Sequence, residues 1–233
     1  MITRERDEIT RLEAFSDAVF GFALTLLVVS LEVPRSYDEL MGIMGGFPSF
    51  ACCLALLIWL WHEHNTFFRR FDPRDGVTVV INGALLFVVL FYVYPLKFMF
   101  DSLFARWMHT THPPEQMALW QLSNASAVYA LGFVLMMLIF VLLYARAYVK
   151  RHTLGLTEMD VFDLRSLAGH HGVSAGVGCI AFLIAVLAPL NFAPLSPVSL
   201  GLMGPGHAVW GMRRGKAKRA MQARLGATPA SVA

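Results

Sequence analysis

The segment from Arg11 to Pro34, RLEAFSDAVFGFALTLLVVSLEVP, is as long and as apolar as a membrane-spanning helix, yet it carries Asp17 in its second turn. An ionisable side chain surrounded by hydrocarbon costs several kcal/mol unless it faces protein or water. A chain that inserts this segment must therefore give Asp17 polar partners. The position of Asp17 marks a candidate functional site.

The composition indicates an integral membrane protein, because 57% of the 233 residues are hydrophobic and 15% are charged. Since one span needs about 20 apolar residues, the length allows about six spans with short connections. We expect an all-α membrane domain over residues 1–212, with helices at 12–33, 42–64, 77–96, 118–149, 170–188 and 198–212. Pro95 is expected to end the third helix. Residues 213–233 are expected to form a basic, disordered cytoplasmic tail.

The distribution of basic residues predicts the orientation, because cytoplasmic connections carry an excess of Lys and Arg. Sixteen of the nineteen Lys and Arg residues fall before span one, between spans two and three, between spans four and five, or after span six. This pattern predicts cytoplasmic N- and C-termini and an even number of spans. The net charge of +3 then reflects topology and not nucleic-acid binding. The basic tail could contact anionic lipid headgroups, although a solvated tail is the simpler interpretation.

Polar residues in the first three spans are predicted to lie at one depth. At 1.5 Å per residue, Asp17 and Asn82 are similarly far from the cytoplasmic side, and His62 and His64 end span two there. Buried polar groups become tolerable when they satisfy one another, so we expect a hydrogen-bonded cluster of Asp17, one or both histidines and Asn82. The two histidines point to different helix faces and no third ligand is evident, so no metal site is expected.

The first span is expected to present two different faces. Asp17 lies about 140° around the helix from Phe22. The stripe on the Phe22 side contains Phe15, Ala18, Val19, Phe22, Thr25, Leu26 and Val29. If Asp17 points into its own subunit, this stripe faces lipid, another helix or a pore axis. The residues alone do not choose among these three.

Several motifs together resemble the prokaryotic branch of the transmembrane protein 175 family of potassium channels. They are RLEAFSD, the TLL that begins eight residues after its Asp, WHEHNTFFR, and an Asn followed by an apolar run that ends at a Pro. The positions that match the family signature are Arg11, Phe15, Ser16, Asp17, Trp61, His64, Phe68 and Asn82. The resemblance is specific over spans one to three, and further along the chain it rests on hydropathy and helix count.

The resemblance implies a homotetrameric cation channel in which helix one of each subunit lines the pore and the signature residues hold it against helices two and three. The pathway would narrow at Phe22, Leu26 and Val29, with Thr25 beside Phe22. No TVGYG-like filter is present in the sequence, so selectivity would come from pore width, hydration and side-chain dipoles. Phe22 departs from the Ile or Leu usual at the narrowest family position.

The expected partners are permeating monovalent cations such as K⁺, membrane lipid and identical subunits, in the plasma membrane of a prokaryote. No cofactor, no bound metal other than permeating K⁺, no nucleic acid and no enzymatic activity are expected. The alternative is a secondary transporter or a proton-permeable protein of six-helix type. A transporter usually shows duplicated halves, and spans four to six do not echo spans one to three.

Overall fold

The computed structural model describes residues 10–31, 33–71, 73, 75–104 and 118–226, with the side chains of 225 and 226 excepted. All regular elements in these ranges are helical. They are α1 (Arg11–Val29), α2 (Tyr37–Gly45), α3 (Phe47–Arg70), α4 (Gly76–Phe104), α5 (Leu119–Val149), α6 (Glu158–Leu187), α7 (Leu195–Ser199) and α8 (Met203–Gly226), with short 3-10 turns at Leu190–Phe192 and Leu200–Leu202.

Two helices begin at capping boxes that the sequence encodes. The Thr10 hydroxyl accepts from the backbone N–H of Glu13 at 3.2 Å, and the Glu13 carboxylate accepts from the Thr10 N–H at 2.7 Å. Thr157 and Asp160 form the same reciprocal pair at the start of α6. Each box satisfies helix N–H groups that would otherwise lack partners. The carboxylates of Glu13 and Asp160 are therefore used in capping.

The described residues contain fewer membrane spans than the six expected. Four helices, α1, α4, α5 and α6, are long and apolar enough to cross a membrane. Helices α2 and α3 are bent by 46° at the break between them, and they make a fifth if the pair counts as one span. The sixth predicted span, 198–212, is wrong as an apolar span. Its residues lie in the end of α7, a 3-10 turn and the start of α8, and α8 becomes strongly basic from Arg213 onward.

The segment from α7 through α8 still returns alongside α6. Ser196 Oγ donates to the Ala181 carbonyl at 2.9 Å, and further along α8 Trp210 Nε1 donates to the Ser166 carbonyl at 3.1 Å. Helix α8 continues to Gly226, so residues 213–226 are helical and the prediction of a disordered tail is wrong there. Residues 227–233 of the predicted tail lie outside the described residues.

Other predicted boundaries also shift. Helix α4 runs past Pro95 to Phe104, so Pro95 lies inside the helix and does not end it. Proline removes one donor and crowds the preceding turn, which bends or strains a helix without always breaking it. Helix α3 extends to Arg70, beyond the predicted end at 64, and α6 starts at Glu158, before the predicted 170. Glu32, in the predicted first span, lies outside the described residues.

The basic connections meet at one end of the bundle. Asp163 of α6 accepts from Arg70 of α3 at 3.0 Å and from Lys218 of α8 at 2.8 Å. At the same end, Asp75 before α4 accepts a hydrogen bond from Arg146 Nε of α5 at 2.9 Å. Arg70, Arg146 and Lys218, three of the positive charges used to predict the orientation, therefore lie at the same end of the bundle. Arg4, Arg6, Arg74 and Arg106, which also entered that prediction, lie outside the described residues.

Helices α5 and α6 pack closely at Gly178. A Cβ atom at this position would lie 2.7 Å from Val134 Cγ2 and 3.0 Å from Phe133 Cδ1. Two side chains of α5 therefore occupy the space that any larger residue would need. Half of the apolar window of α5 is buried inside the subunit, compared with 28% for α1. The core thus centres on α5, and α1 buries less of its apolar surface within the subunit.

We expect Gly178→Ala to destabilise the subunit by about 1 to 3 kcal/mol, because an added methyl group overpacks the α5–α6 contact. The matched control is Gly176→Ala on the same helix, where a Cβ meets no atom within 4 Å. Thermal unfolding in detergent, followed by circular dichroism, measures both. Equal melting temperatures for the two variants would contradict the close packing at Gly178.

Candidate functional site

A buried chain of hydrogen bonds joins α1, α3 and α4. Asn82 Nδ2 donates to Ser16 Oγ at 2.9 Å, and Asn82 Oδ1 lies 2.8 Å from His64 Nε2. The Ser16 hydroxyl donates in turn to the Leu12 carbonyl at 2.8 Å. Ser16, His64 and Asn82 are each at most 1% exposed. Since the amide oxygen can only accept, the arrangement places the His64 proton on Nε2.

Aromatic rings enclose the His64 imidazole. The Phe68 ring lies 4.6 Å away between centroids and the Phe20 ring lies 5.5 Å away. Phe68, one turn after His64 on α3, is 1% exposed. These rings exclude water from the hydrogen bond between His64 and Asn82. A polar contact shielded in this way is costly to leave unpaired.

Asp17 belongs to a separate contact. Trp61 Nε1 donates to Asp17 Oδ1 at 2.7 Å, and Asp17 is exposed where Ser16 is buried. The prediction that Asp17 joins His64 and Asn82 is therefore wrong, because Ser16 occupies that place, whereas the predicted contact between His64 and Asn82 is present. Successive residues of a helix point about 100° apart, so the neighbour of an inward-facing Ser16 turns toward Trp61 instead.

The Asp17–Trp61 pair borders an open groove between α1 and α3. The groove has a volume of about 470 Å³. Apart from Asp17 and Trp61 its lining is apolar: Phe20, Gly21, Leu24, Leu57 and Ile58. The tryptophan N–H gives the carboxylate a partner at the one polar point of this groove. The pair ties the second turn of α1 to α3.

The other two signature positions remain on the surface of the subunit. Arg11 is the first residue of α1 and is exposed, and the Phe15 side chain is 60% exposed. Neither side chain joins the buried hydrogen bonds around Asn82. The role assigned to Arg11 and Phe15 as supports for α1 therefore stays a prediction.

The predicted pore stripe lies on the bare face of α1. Phe22 is 56% exposed and Val29 is 71% exposed, while Thr25 is exposed and Leu26 is half-buried. The Thr25 hydroxyl donates to the Gly21 carbonyl at 2.9 Å, which satisfies its proton within the helix. The opposite face, with Phe20, Ala23 and Leu27, is buried. Within the described residues, the Phe22 face has no helix packed over it.

Two further contacts were not anticipated from the sequence. Lys97 Nζ of α4 donates to the Ser30 carbonyl at the end of α1, at 3.0 Å, so α1 is tied to α4 at both ends. The buried His171 of α6 lies 3.4 Å from the Glu63 carboxylate of α3 and stacks on Phe140. The available signal was a charged residue in each case: Glu63 inside the predicted second span, and Lys97 directly after the predicted third span.

These features define a multi-pass, all-helical membrane protein whose first helix is anchored on one face and bare on the other. The family model described as "Endosomal/lysosomal potassium channel TMEM175" matches residues 11–92, which include α1, α3 and the first half of α4. A protein of Marivirga tractuosa named "Potassium channel" is 34% identical over 194 residues, which are 77% of this chain and 76% of that protein. The chain belongs to the TMEM175 family.

Other similar proteins support the same membership. A potassium channel of Chamaesiphon minutus is 25% identical over 191 residues, 78% of this chain and 87% of that protein. The crystal structure of a variant of the potassium channel MtTMEM175, in complex with a nanobody–MBP fusion, matches with a TM-score of 0.81 and 30% identity. That match covers 93% of this chain and 99% of the other. The channel homologue from Chamaesiphon minutus, at 24% identity and a TM-score of 0.57, shares the fold.

We expect Asn82→Ala to destabilise the protein by about 1 to 3 kcal/mol for each polar group that it leaves buried and unpaired. Ser16→Ala should cost less, because it removes one partner of Asn82 and leaves the bond to His64. The control is Asn124→Ala, at an exposed asparagine of α5. Thermal unfolding in detergent measures all three. An Asn82→Ala variant as stable as Asn124→Ala would contradict the bridging role.

The contact between Asp17 and Trp61 predicts a second set of linked variants. Trp61→Phe keeps an aromatic ring but removes the N–H, and Asp17→Asn weakens the acceptor that receives it. We expect each change to lower stability modestly, and the double variant to cost less than the sum, because both remove one charge-assisted hydrogen bond. Unfolding free energies of the four proteins give the coupling. If the two single losses of stability add up to the loss in the double variant, the two residues do not interact.

Proposed function

We propose that this chain is a potassium channel in which four copies place α1 around a central ion pathway. The observation that carries the proposal is the two-sided character of α1. Its polar anchors, Ser16 and Asp17, contact α3 and α4, while Phe22 and Val29 stand exposed on the face that the subunit leaves open. Membership of the TMEM175 family, and the relatives named potassium channels, support conduction of K⁺.

The pathway narrows at Phe22, Thr25, Leu26 and Val29. An apolar constriction resists ions by excluding water from the pore, and it conducts when side-chain movement or hydration lowers that barrier. Thr25 supplies the one hydroxyl in this stripe. Its proton is used by Gly21, so the lone pairs of its oxygen are the groups that face a cation. Phe22 presents an aromatic face, which attracts cations when the ring turns toward them.

The anchors act on conduction by positioning. Ser16 and Asp17 fix the first two turns of α1, and Lys97 fixes its end at Ser30. Phe22 lies between these fixed points. The rotation of α1 about its own axis, and with it the direction of the Phe22 ring, therefore depends on side chains that never meet the ion.

The basic end of the bundle faces the cytoplasm of a bacterium in this proposal. Arg70, Arg146 and Lys218 form ion pairs there, and cytoplasmic surfaces of membrane proteins carry the excess of positive charge. The start of α1 and all of the second half of α8 belong to this side. The expected membrane is the plasma membrane, and the expected assembly is a homotetramer.

Flux through the purified protein in liposomes tests the function. Vesicles loaded with K⁺ and diluted into K⁺-free buffer acidify when a protonophore is present, and a pH-sensitive dye reports that acidification. Through a channel, the K⁺ flux rises with the K⁺ gradient and does not saturate. Dye response in the absence of protonophore would instead indicate proton permeation, and saturable exchange would indicate a transporter. Well-folded tetramers without flux would contradict the proposal.

We expect Phe22→Ala to raise the resting K⁺ flux several-fold, because it removes the bulkiest side chain of the proposed constriction. The matched control is Phe91→Ala, at a phenylalanine of α4 that is 69% exposed and lies outside the stripe. Single-channel current in planar bilayers checks the effect on each open pore. An unchanged current in Phe22→Ala would remove Phe22 from the pathway.

A further inference from the structure

A pocket of about 440 Å³ lies at the basic end of the bundle, between the α5–α6 connection and α8. Arg151 of the connection, Arg165 of α6 and Arg214 of α8 contribute to its lining. The same pocket has apolar walls, formed by Leu156, Val161, Phe162 and Met221. Ligand sites have volumes of about 300 to 1,000 Å³ and combine apolar walls with a few convergent polar groups. The pocket has both features.

Aromatic rings hold the three guanidinium groups in place. Arg151 and Arg165 both lie over the Tyr148 ring, at 4.5 Å and 4.7 Å from its centroid. Arg214 lies 4.6 Å from the Trp210 ring, which is fixed by its hydrogen bond to the Ser166 carbonyl. Stacking of this kind orients a guanidinium and leaves its N–H edge available.

Three of the described carboxylates at this end of the bundle already have partners. Asp163 pairs with Arg70 and Lys218, and the Asp160 carboxylate accepts from the N–H and hydroxyl of Thr157. Asp75 pairs with Arg146 and Lys150. The hydrogen bond from Arg146 holds the pKa of Asp75 well below its usual value, so that this carboxyl stays charged.

The Glu158 carboxylate lines the pocket and lies 3.9 Å from Arg224. In contrast, none of Arg151, Arg165 and Arg214 pairs with a carboxylate among the residues that the structure describes. Arg151 donates one bond to the Tyr148 carbonyl, and Arg165 donates one to the Tyr148 hydroxyl. A guanidinium has five N–H donors, so both retain donors for a ligand. Three arginines therefore line one cavity without pairing with a carboxylate, while Glu158 in the same lining lies beside Arg224.

We infer that this pocket binds the phosphate group of an anionic ligand. Arginine forks match phosphate oxygens, and basic pockets between membrane helices suit phospholipid headgroups. The apolar walls would contact the glycerol or acyl part of a lipid. His152, which also lines the pocket, adds a further donor. A soluble phosphorylated compound presents the same chemistry, so the test includes a probe of each kind.

Isothermal titration calorimetry on the full-length protein in neutral detergent tests the site, with inorganic pyrophosphate and short-chain phosphatidylglycerol as probes. The test variant is Arg165→Gln with Arg214→Gln. The control is Arg213→Gln with Arg219→Gln, which removes the same charge from exposed positions of α8. We expect about tenfold or greater weakening in the test variant, because two charge-assisted contacts are lost. The control should change affinity by about twofold or less, since exposed charges are screened.

The two probes identify the source of the phosphate. Binding of phosphatidylglycerol alone assigns a lipid, binding of pyrophosphate alone assigns a soluble ligand, and both outcomes support the site. Size-exclusion profiles check folding. If the double variant does not fold, Arg151→Gln replaces it, with an expected weakening of about threefold because one charge-assisted contact is lost. Equal weakening in test and control variants, or no binding of either probe to the unmodified protein, would overturn the inference.

Discussion

The carboxamide of Asn82 determines where the first helix stands. A buried amide has to give its N–H groups an acceptor and its oxygen a donor, because water is absent to do either. In this subunit, the acceptor is Ser16 on α1 and the donor is His64 on α3. Both helices must therefore approach α4 at the depth of Asn82. Because one face of α1 is turned toward Asn82, the opposite face of α1 is left exposed.

The same contact shows how far the sequence could predict the site. The depth of the polar residues followed from the helical rise, and the expected meeting of His64 with Asn82 agrees with their hydrogen bond. The identity of the α1 partner did not follow. Ser16 and Asp17 are neighbours at almost the same depth, and choosing between them requires the rotation of α1 about its axis. That rotation depends on tertiary packing, including the hydrogen bond that Trp61 donates to Asp17.

The hydropathy-based predictions for the end of the chain, a sixth span and a disordered tail over residues 213–226, were wrong because they also ignore tertiary packing. Hydropathy measures whether a segment prefers hydrocarbon, whereas α8 is held beside α6 by specific contacts. Trp210 bonds to the Ser166 carbonyl and fits over Gly169, and Lys218 pairs with Asp163. A basic helix stabilised in this way has neither the apolar run of a span nor the solvation of a free tail. Charge pairing across helices is a long-range property that composition does not reveal.

The unequal burial of α1 and α5 connects the fold with the proposed conduction. A helix packed on most sides, as α5 is, cannot present a face to a pathway without losing core contacts. Helix α1 has 28% of its apolar window buried, so it loses few core contacts when its other face is turned to a pore axis. The same small buried surface is too little to fix the rotation of α1 about its own axis. Directional hydrogen bonds at Ser16 and Asp17 supply that orientation instead. Polar anchoring on one face is therefore the physical condition for an apolar stripe on the other.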